Sequence, residues 1–275
     1  MLKFEIDQDK CTHCGLCAKD CPVNIIDMQA GLPDISKENE AGCFKCQHCL
    51  AVCPSGALSI LGKTPEQSTP LRGNLPAPRQ LETLIKGRRS VRQYKDENLE
   101  PELLQRLLDV AWQAPTGHNA RQVRFTVIDD KKTMARFREQ AMTALMRVVR
   151  EKQLPAGLEF FAEFVERWEK QGVDAIFRGA PHLIIATAPK DIASPLPDCL
   201  IALSYFELYA QAHGVGTVWD GLAKWAINDL APELRQILGI PDDHLIGYAM
   251  AFGKPAIRYQ RTVENGPANV MRVNI

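Results

Sequence analysis

The sequence predicts an α+β chain of two unlike parts, a small thiol-rich module followed by a larger domain whose sheet is flanked by helices. Three observations carry that expectation. Eight of the nine cysteines fall within the first 53 of 275 residues; a proline-rich stretch occupies 63–79; beyond it, short β-rich runs alternate with amphipathic segments. The charge divides at the same place, with net −3 and no arginine over residues 1–62 and net +3 over the remainder. An apolar fraction of 45% excludes a mainly disordered chain. Balanced charge, 33 basic against 33 acidic residues, argues against a dedicated nucleic-acid binder. No apolar run reaches the roughly 18 residues needed to span a bilayer. The opening Met-Leu-Lys-Phe-Glu-Ile-Asp lacks the basic-then-apolar order of a secretory signal, so a cytoplasmic protein is expected.

The first part, residues 1–62, is an internal repeat. Cys11, Cys14, Cys17 and Cys21 are spaced C-x2-C-x2-C-x3-C and followed by Pro22; an offset of 32 lands on Cys43, Cys46, Cys49, Cys53 and Pro54. This is the ligation run of bacterial ferredoxins, in which three close thiolates hold one iron–sulfur cube and the fourth reaches across to its neighbour. Cys11, Cys14, Cys17 and Cys53 are therefore expected on one 4Fe-4S cluster, and Cys43, Cys46, Cys49 and Cys21 on a second. Disulfides would suit a secreted chain rather than a reducing cytosol. Structural zinc would not need four cysteines twice over, each fourth one followed by proline. His13 and His48 lie inside the runs and are expected in solvent, since thiolates already fill both sites. So short a module builds little core. Phe4, Ile6, Val23, Ile25, Ile26, Leu58, Ile60 and Leu61 should form short strands sheathing the clusters, whose bonds do much of the folding.

Residues 63–79 carry prolines at 65, 70, 76 and 78, each fixing φ and biasing its predecessor toward extended backbone. An extended, semi-rigid tether is expected there, with the second domain at 80–275. Within it, Gln80–Lys86 reads as a short amphipathic helix. Residues 101–113 set Leu103, Leu104, Leu107, Leu108 and Ala111 at helical spacing, with Pro101 in the first turn. Arg124–Ile128 is rich in β-formers, and 131–151 and 158–171 read as helices. His182–Thr187 is a buried strand. Residues 198–213 form a helix apolar nearly all round, expected to be central or at a subunit interface. Gly216–Gly221, a helix near 231–238 and a strand at Leu245–Phe252 complete the chain. Cys199, inside the apolar helix, is expected to be packing.

Phosphate-binding loops are missing from this domain. No GxxxxGK[ST] occurs, and Gly214-Val-Gly216 lacks the third glycine of a dinucleotide fingerprint. Clusters move single electrons, so a partner able to gather two makes chemical sense, and flavin does that. Five segments then appear in order: Arg88-Arg89-Ser90-Val91-Arg92, Ala114-Pro115-Thr116-Gly117-His118-Asn119, Gly179-Ala180-Pro181-His182, Gly214-Val-Gly216-Thr217-Val-Trp219 and Phe252-Gly253-Lys254-Pro255. Together they resemble the nitroreductase-type FMN oxidoreductases, in the form that carries an amino-terminal two-cluster ferredoxin domain. The resemblance implies a nitroreductase-like α/β sandwich with a mixed sheet flanked by helices.

Residue by residue, the resemblance implies that Arg88, Ser90 and Arg92 meet the FMN phosphate, ribityl chain and pyrimidine edge. That role suits guanidinium forks and a hydroxyl; a charged helix end is the plain alternative. Asn119 matches a flavin-binding asparagine, with Pro115 and Thr116 shaping its turn. Trp219, Asp220 and Gly221 match a strand end beside the isoalloxazine. Arg261 matches a late arginine that returns to the phosphate, with Arg258 as the alternate. The chain departs from many relatives after Asn119, where Arg121 stands for the usual glutamine and Val123 for an aromatic wall. Arg121 could bind an anionic acceptor or serve as a further phosphate or surface contact. His118 is a turn residue or a proton donor.

The expected function is an iron–sulfur flavoprotein oxidoreductase, with no catalytic side chain required. Electrons from two 4Fe-4S clusters, or from NAD(P)H, would reach FMN and then a small acceptor such as a nitro compound, quinone, activated alkene or flavin. The alternative is an electron-transfer adaptor that reduces a protein partner without small-molecule turnover. The resemblance also implies a homodimer; a ferredoxin is a candidate donor, and neither nucleic acid nor membrane is expected as a partner.

Overall fold

The computed structural model describes residues 2–28 and 31–275. The chain forms two compact units, Met1–Pro76 together with His118–Ala120, and Ala77–Gly117 together with Arg121–Ile275.

The first unit has little regular structure. Two two-residue strands, β1 (Glu5–Ile6) and β2 (Leu58–Ser59), pair antiparallel. Two short helices, α1 (Leu16–Lys19) and α2 (His48–Val52), begin at the middle of each cysteine run. Each follows a residue in the left-handed region, Gly15 (φ 67°) in one repeat and Gln47 (φ 60°) in the other. The second site holds that conformation without glycine, so the thiol loop sets the turn rather than side-chain freedom. Leu2, Ile26, Ile35, Leu50, Leu58 and Ile60 form a small core, with Phe4, Ile6, Ile25 and Leu61 packed around it.

Residues 65–67 form one turn of 3-10 helix inside the stretch expected to be an extended tether. The next helix, α3 (Pro78–Gly87), begins two residues earlier than expected, because Pro78 takes the first helical position, where its missing N–H costs nothing.

A four-stranded sheet organises the second unit in the order β3 (Arg124–Ile128), β4 (His182–Pro189), β6 (His244–Gly253), β5 (Gly216–Trp219). All three ladders are antiparallel, and the expected mixed character is reduced, among the described residues, to one isolated parallel bridge between Ser90 and Thr217 beside β5. Alternation along the strands divides the core between two faces. Leu183, Ile185, Ala249 and Ala251 face α5 (Lys131–Arg150) and α6 (Phe161–Gln171), which supply Phe137, Leu145, Phe161 and Val165. Ile184, Ala186, Met250 and Phe252 face α4 (Pro101–Ala111) and α7 (Pro195–Ala212), which supply Leu107, Leu203 and Phe206. Two close approaches require glycine. A Cβ on Gly247 would lie 2.2 Å from the Cys199 Cβ, and one on Gly216 would lie 2.6 Å from Val91 Cγ2.

The β5 strand ends at Trp219 rather than continuing to Gly221. Asp220 instead accepts a hydrogen bond from Ala223 N at 2.9 Å and starts α8 (Gly221–Trp225). A π-helical turn (Ala226–Leu230) and α9 (Glu233–Ile237) follow. The 221–230 segment carries too short a pattern to be seen as helix in the sequence. No helix among the described residues is long and apolar enough to cross a membrane.

Candidate functional site

The thiols come first, because they are gathered by local turns. Cys11, Cys14, Cys17 and Cys53 line one small cavity with Ile6, Leu16 and Leu58. Cys21, Cys43, Cys46 and Cys49 line a second, equally small, with Ile25, Ile26 and Ile60. None of the eight is in a disulfide. Among the described residues no three potential ligands converge closely enough to share one ion, so each set encloses a space rather than a point. Burial pushes the Cys49 thiol up to about 12 and raises Cys17 as well. Such thiols become ligating thiolates only with cationic iron beside them. Burial works the same way on Cys53, but donors from Ala57 and Ser55 outweigh it and hold that thiol below its ordinary value. Ala57 N lies 3.2 Å from Cys53 Sγ, and Lys45 N lies 3.3 Å from Cys43 Sγ. Four soft thiolates around a partly open, largely apolar pocket are a donor set that fits an iron–sulfur cube.

Asn119 also belongs to this unit. It sits in the left-handed region (φ 53°) and donates its Nδ2 to the Phe44 carbonyl at 2.7 Å, while the His118 ring lies 5.6 Å from the Phe44 ring. His118 (φ 52°) and Arg121 (φ 54°) share that unusual backbone. Three non-glycine residues so placed within four positions mark a turn held against its own preference.

In the second unit, Arg88 caps the C-terminus of α3 and donates Nη1 to Glu207 Oε1 at 3.2 Å. Glu207 is buried in α7 and accepts Thr217 Oγ1 on the same oxygen at 3.2 Å. Thr217 in turn accepts Val91 N on its carbonyl at 2.9 Å, so one carboxylate and one strand pin the segment 88–91. Arg88 stays about one-third exposed (31%), which leaves its remaining N–H donors accessible. Ser90 accepts Tyr259 Oη on its carbonyl at 3.4 Å, and Arg92 is exposed. A cleft of about 680 Å³ brings Gly87 and Val91 together with Arg258, Tyr259 and Arg261. Its size suits a cofactor, and its late arginines lie beside the segment that carries Arg88.

Other predicted residues are held differently. Pro115 is exposed; Thr116 Oγ1 accepts Arg121 N at 3.0 Å, closing the turn from inside. Arg121 donates to the Ala114 carbonyl at 3.3 Å, and its guanidinium lies 5.2 Å from the Trp112 ring centroid. Trp219 packs edge-on against Tyr248 with centroids 5.2 Å apart. Gly221 lies beneath the same tyrosine, and a Cβ there would come within 3.0 Å of its hydroxyl. Asp220 is 4% exposed; its Oδ1 caps α8, while its Oδ2 is buried without a partner. Burial, opposed in part by the Ala223 N–H, pushes its carboxyl up to about 7. Asp220 Oδ2 is thus an orphaned buried oxygen at this strand end, the kind of group that calls for an explanation, beside a glycine already covered by the Tyr248 hydroxyl.

Glu207 and Tyr259 were missed in the sequence, and Thr217 stood there inside a motif without a role. Glu207 had a signal: it is an acidic residue deep in a helix that is otherwise apolar nearly all round, and such a charge needs a partner.

Residues 85–254 match the Nitroreductase family profile. The chain belongs to the nitroreductase family. Residues 10–57 of this nitroreductase-family oxidoreductase match the profile of the 4Fe-4S dicluster domain. A relative from Methanothermobacter thermautotrophicus, named for NADH dehydrogenase/NAD(P)H nitroreductase activity, is 25% identical over 177 residues, covering 62% of this chain and 75% of its own. A ferredoxin from Methanothermococcus thermolithotrophicus is 33% identical over 57 residues, covering 20% of this chain and 92% of its own. Among solved structures, a nitroreductase with bound FMN from Desulfitobacterium hafniense superposes with a TM-score of 0.54 at 25% identity, over 71% of this chain and all of that one.

Proposed function

We propose that this protein is an FMN-dependent oxidoreductase that also carries two 4Fe-4S clusters. Electrons from the clusters, or from NAD(P)H, reach FMN and pass to a small acceptor such as a nitro compound, quinone, activated alkene or flavin. The observation that carries this reading is the joint presence, in one chain, of two four-thiol cavities and an arginine-bearing cleft beside the 88–92 segment. The functional domains are taken as 1–62 for the clusters and 80–275 for FMN, joined by 63–79. When bound, the clusters supply single-electron transfer and FMN supplies hydride or one-electron transfer.

The chain's own residues bind and orient. Cys11, Cys14, Cys17 and Cys53 hold one cluster, and Cys21, Cys43, Cys46 and Cys49 hold the other. Glu207 fixes one edge of Arg88, so the free edge can form a fork with the FMN phosphate, joined by Ser90 and by Arg92 or the late Arg261. Arg258 is the alternate for that last position. Pro115, Thr116 and Asn119 shape the loop attributed to flavin contact. Trp219, Asp220 and Gly221 form the strand end attributed to contact with the isoalloxazine, with the Tyr248 hydroxyl covering Gly221. No side-chain nucleophile is needed. A homodimer is part of this reading: Tyr205 on the apolar α7, and Leu81 and Ile85 on α3, remain exposed and suit cover by a second copy.

The test is anaerobic reduction of the purified, flavin-loaded protein with NADH, NADPH and reduced ferredoxin compared side by side, followed by an acceptor panel. Bleaching of the flavin absorbance and turnover of at least one small acceptor are expected. If acid denaturation releases no FMN, the flavin reading is wrong. If every small acceptor fails while a protein partner is reduced, the adaptor reading replaces it.

A further inference from the structure

The two halves of the cysteine repeat differ at one chemically telling position. Each crossing cysteine is followed by proline and then by a residue beside the sulfur, giving Cys21-Pro22-Val23 in the first half and Cys53-Pro54-Ser55 in the second. Ser55 lines the cavity of Cys11, Cys14, Cys17 and Cys53, and its Oγ lies 3.7 Å from Cys53 Sγ, within the longer reach of a sulfur acceptor. Val23 lines the other cavity with Cys21 and offers only methyl groups. Among the described residues Ser55 makes the one side-chain hydrogen bond to any of the eight cysteines, and no hydrogen bond reaches Cys21 Sγ.

The remaining differences are smaller. Backbone amides donate to sulfurs in both sets, Ala57 N to Cys53 and Ala18 N to Cys17 in one, Lys45 N to Cys43 and Leu50 N to Cys49 in the other. The charge of Lys10, next to Cys11, is shared by Asp7 at 3.2 Å and Glu66 at 3.5 Å. Lys45, beside Cys43, is exposed, and water and salt screen it. The Ser55 hydroxyl is therefore the main side-chain asymmetry at the sulfurs.

A ligand sulfur gains negative charge when an electron enters its iron core. A donor aimed at that sulfur stabilises the reduced form more than the oxidised one and so raises the reduction potential. The geometry points to Ser55 as the residue that makes the Cys11/Cys14/Cys17/Cys53 cluster the higher-potential member of the pair, the one on which a first electron rests. This inference builds on the two-cluster reading above.

The experiment is an anaerobic redox titration of the full-length, cluster-loaded protein with dithionite and mediators, followed by electron paramagnetic resonance. Iron and acid-labile sulfide are counted on every sample. Ser55→Ala should lower the higher midpoint, leave the lower one in place and shift the electron's partition between the clusters by about five- to tenfold, the scale of one neutral hydrogen bond. Ser55→Thr, which keeps the hydroxyl, should behave like the parent. Val23→Ser should raise the lower midpoint and narrow the gap from the other side. Counts of about four iron per chain would overturn the two-cluster reading itself. With about eight present, the tuning role is overturned if Ser55→Ala leaves both midpoints unchanged, or if it moves the same signal that Val23→Ser moves. Should Ser55→Ala fail to load, the Val23→Ser and Ser55→Thr arms decide: an unmoved lower midpoint in the first, or a lowered upper midpoint in the second, overturns it equally.

Discussion

The two units fold by different means. The first buries a handful of side chains, Leu2, Ile26, Ile35, Leu50, Leu58 and Ile60, and its regular elements are two to five residues long. The second sandwiches an antiparallel sheet between two helical layers, with Leu183, Ile185, Ile184 and Ala186 of a single strand fully buried on alternate faces. In the first unit the groups that would do chemistry are also the groups that hold the chain, since eight thiols face the cavities around which it is wrapped. In the second the core is independent of the proposed cofactor, and the functional residues sit on its rim. A mutation that damages function should therefore unfold the first unit and leave the second folded.

Iron removal tests that contrast most severely. Chelation of the loaded protein under anaerobic, reducing conditions should abolish hydrogen-exchange protection at β1 and β2, because bare thiols buried as Cys49 is cannot replace iron–sulfur bonds. Amides of β4 and β6 should remain slow. Equal loss in both units would show that the second core is not self-sufficient. The converse is a cavity in the second unit. Phe206→Ala removes a fully buried ring that packs edge-on to Phe252 at 5.2 Å, and should cost about 3–5 kcal/mol in the denaturant-unfolding transition of that unit. Its iron and sulfide content should stay at the parental level.

Asp220 gives a pH signature to the second unit alone. Its carboxyl keeps a proton in the fold up to about pH 7, whereas the unfolded chain releases it near 3.8. Between those values the native state binds more protons, so this group's contribution is harmless below about pH 4 and lowers stability as pH rises toward 7. Desolvation is the main cause; Asp174 adds to it, while Arg178 and the Ala223 N–H oppose it. A shift of this size corresponds to at most about 4 kcal/mol at neutral pH and above. Asp220→Asn keeps an oxygen to cap α8 and should flatten the fall, gaining stability at pH 8 relative to pH 5. An unchanged slope in paired denaturant melts would place the titration elsewhere.

How much was visible beforehand follows from the same contrast. The cysteine runs are legible because ligand spacing is local and admits few readings. The strand at Arg124–Ile128 and the buried strand from His182 are legible because β-formers run unbroken there. Segment 221–230 was not, since a five-residue helix capped by Asp220 and a π turn have no periodicity long enough to register. The Pro78 start of α3 was hidden for another reason: proline signals both a tether and a first helical position. Arg88 could be singled out as a phosphate ligand, but its anchor could not. Glu207 lies 119 residues away, and the packing of α7 against α3 and β5 joins the two.

That anchor frames the gentlest prediction. Arg88→Ala removes one charged fork from the proposed phosphate site and leaves Glu207 with Thr217 as its remaining partner. FMN affinity should fall by about ten- to a hundredfold, the scale of a charge-assisted hydrogen bond, whereas riboflavin, which lacks the phosphate, should bind nearly as before. Quenching of flavin fluorescence on titration of the stripped full-length protein reads both ligands. Stability of the second unit should fall as well, because a buried carboxylate loses its cation, and the size of that loss is measured separately by denaturant unfolding. A fall in affinity for both flavins alike would mean that Arg88 supports the fold rather than the phosphate. The rim and the core of this unit would then be less separable than its architecture suggests.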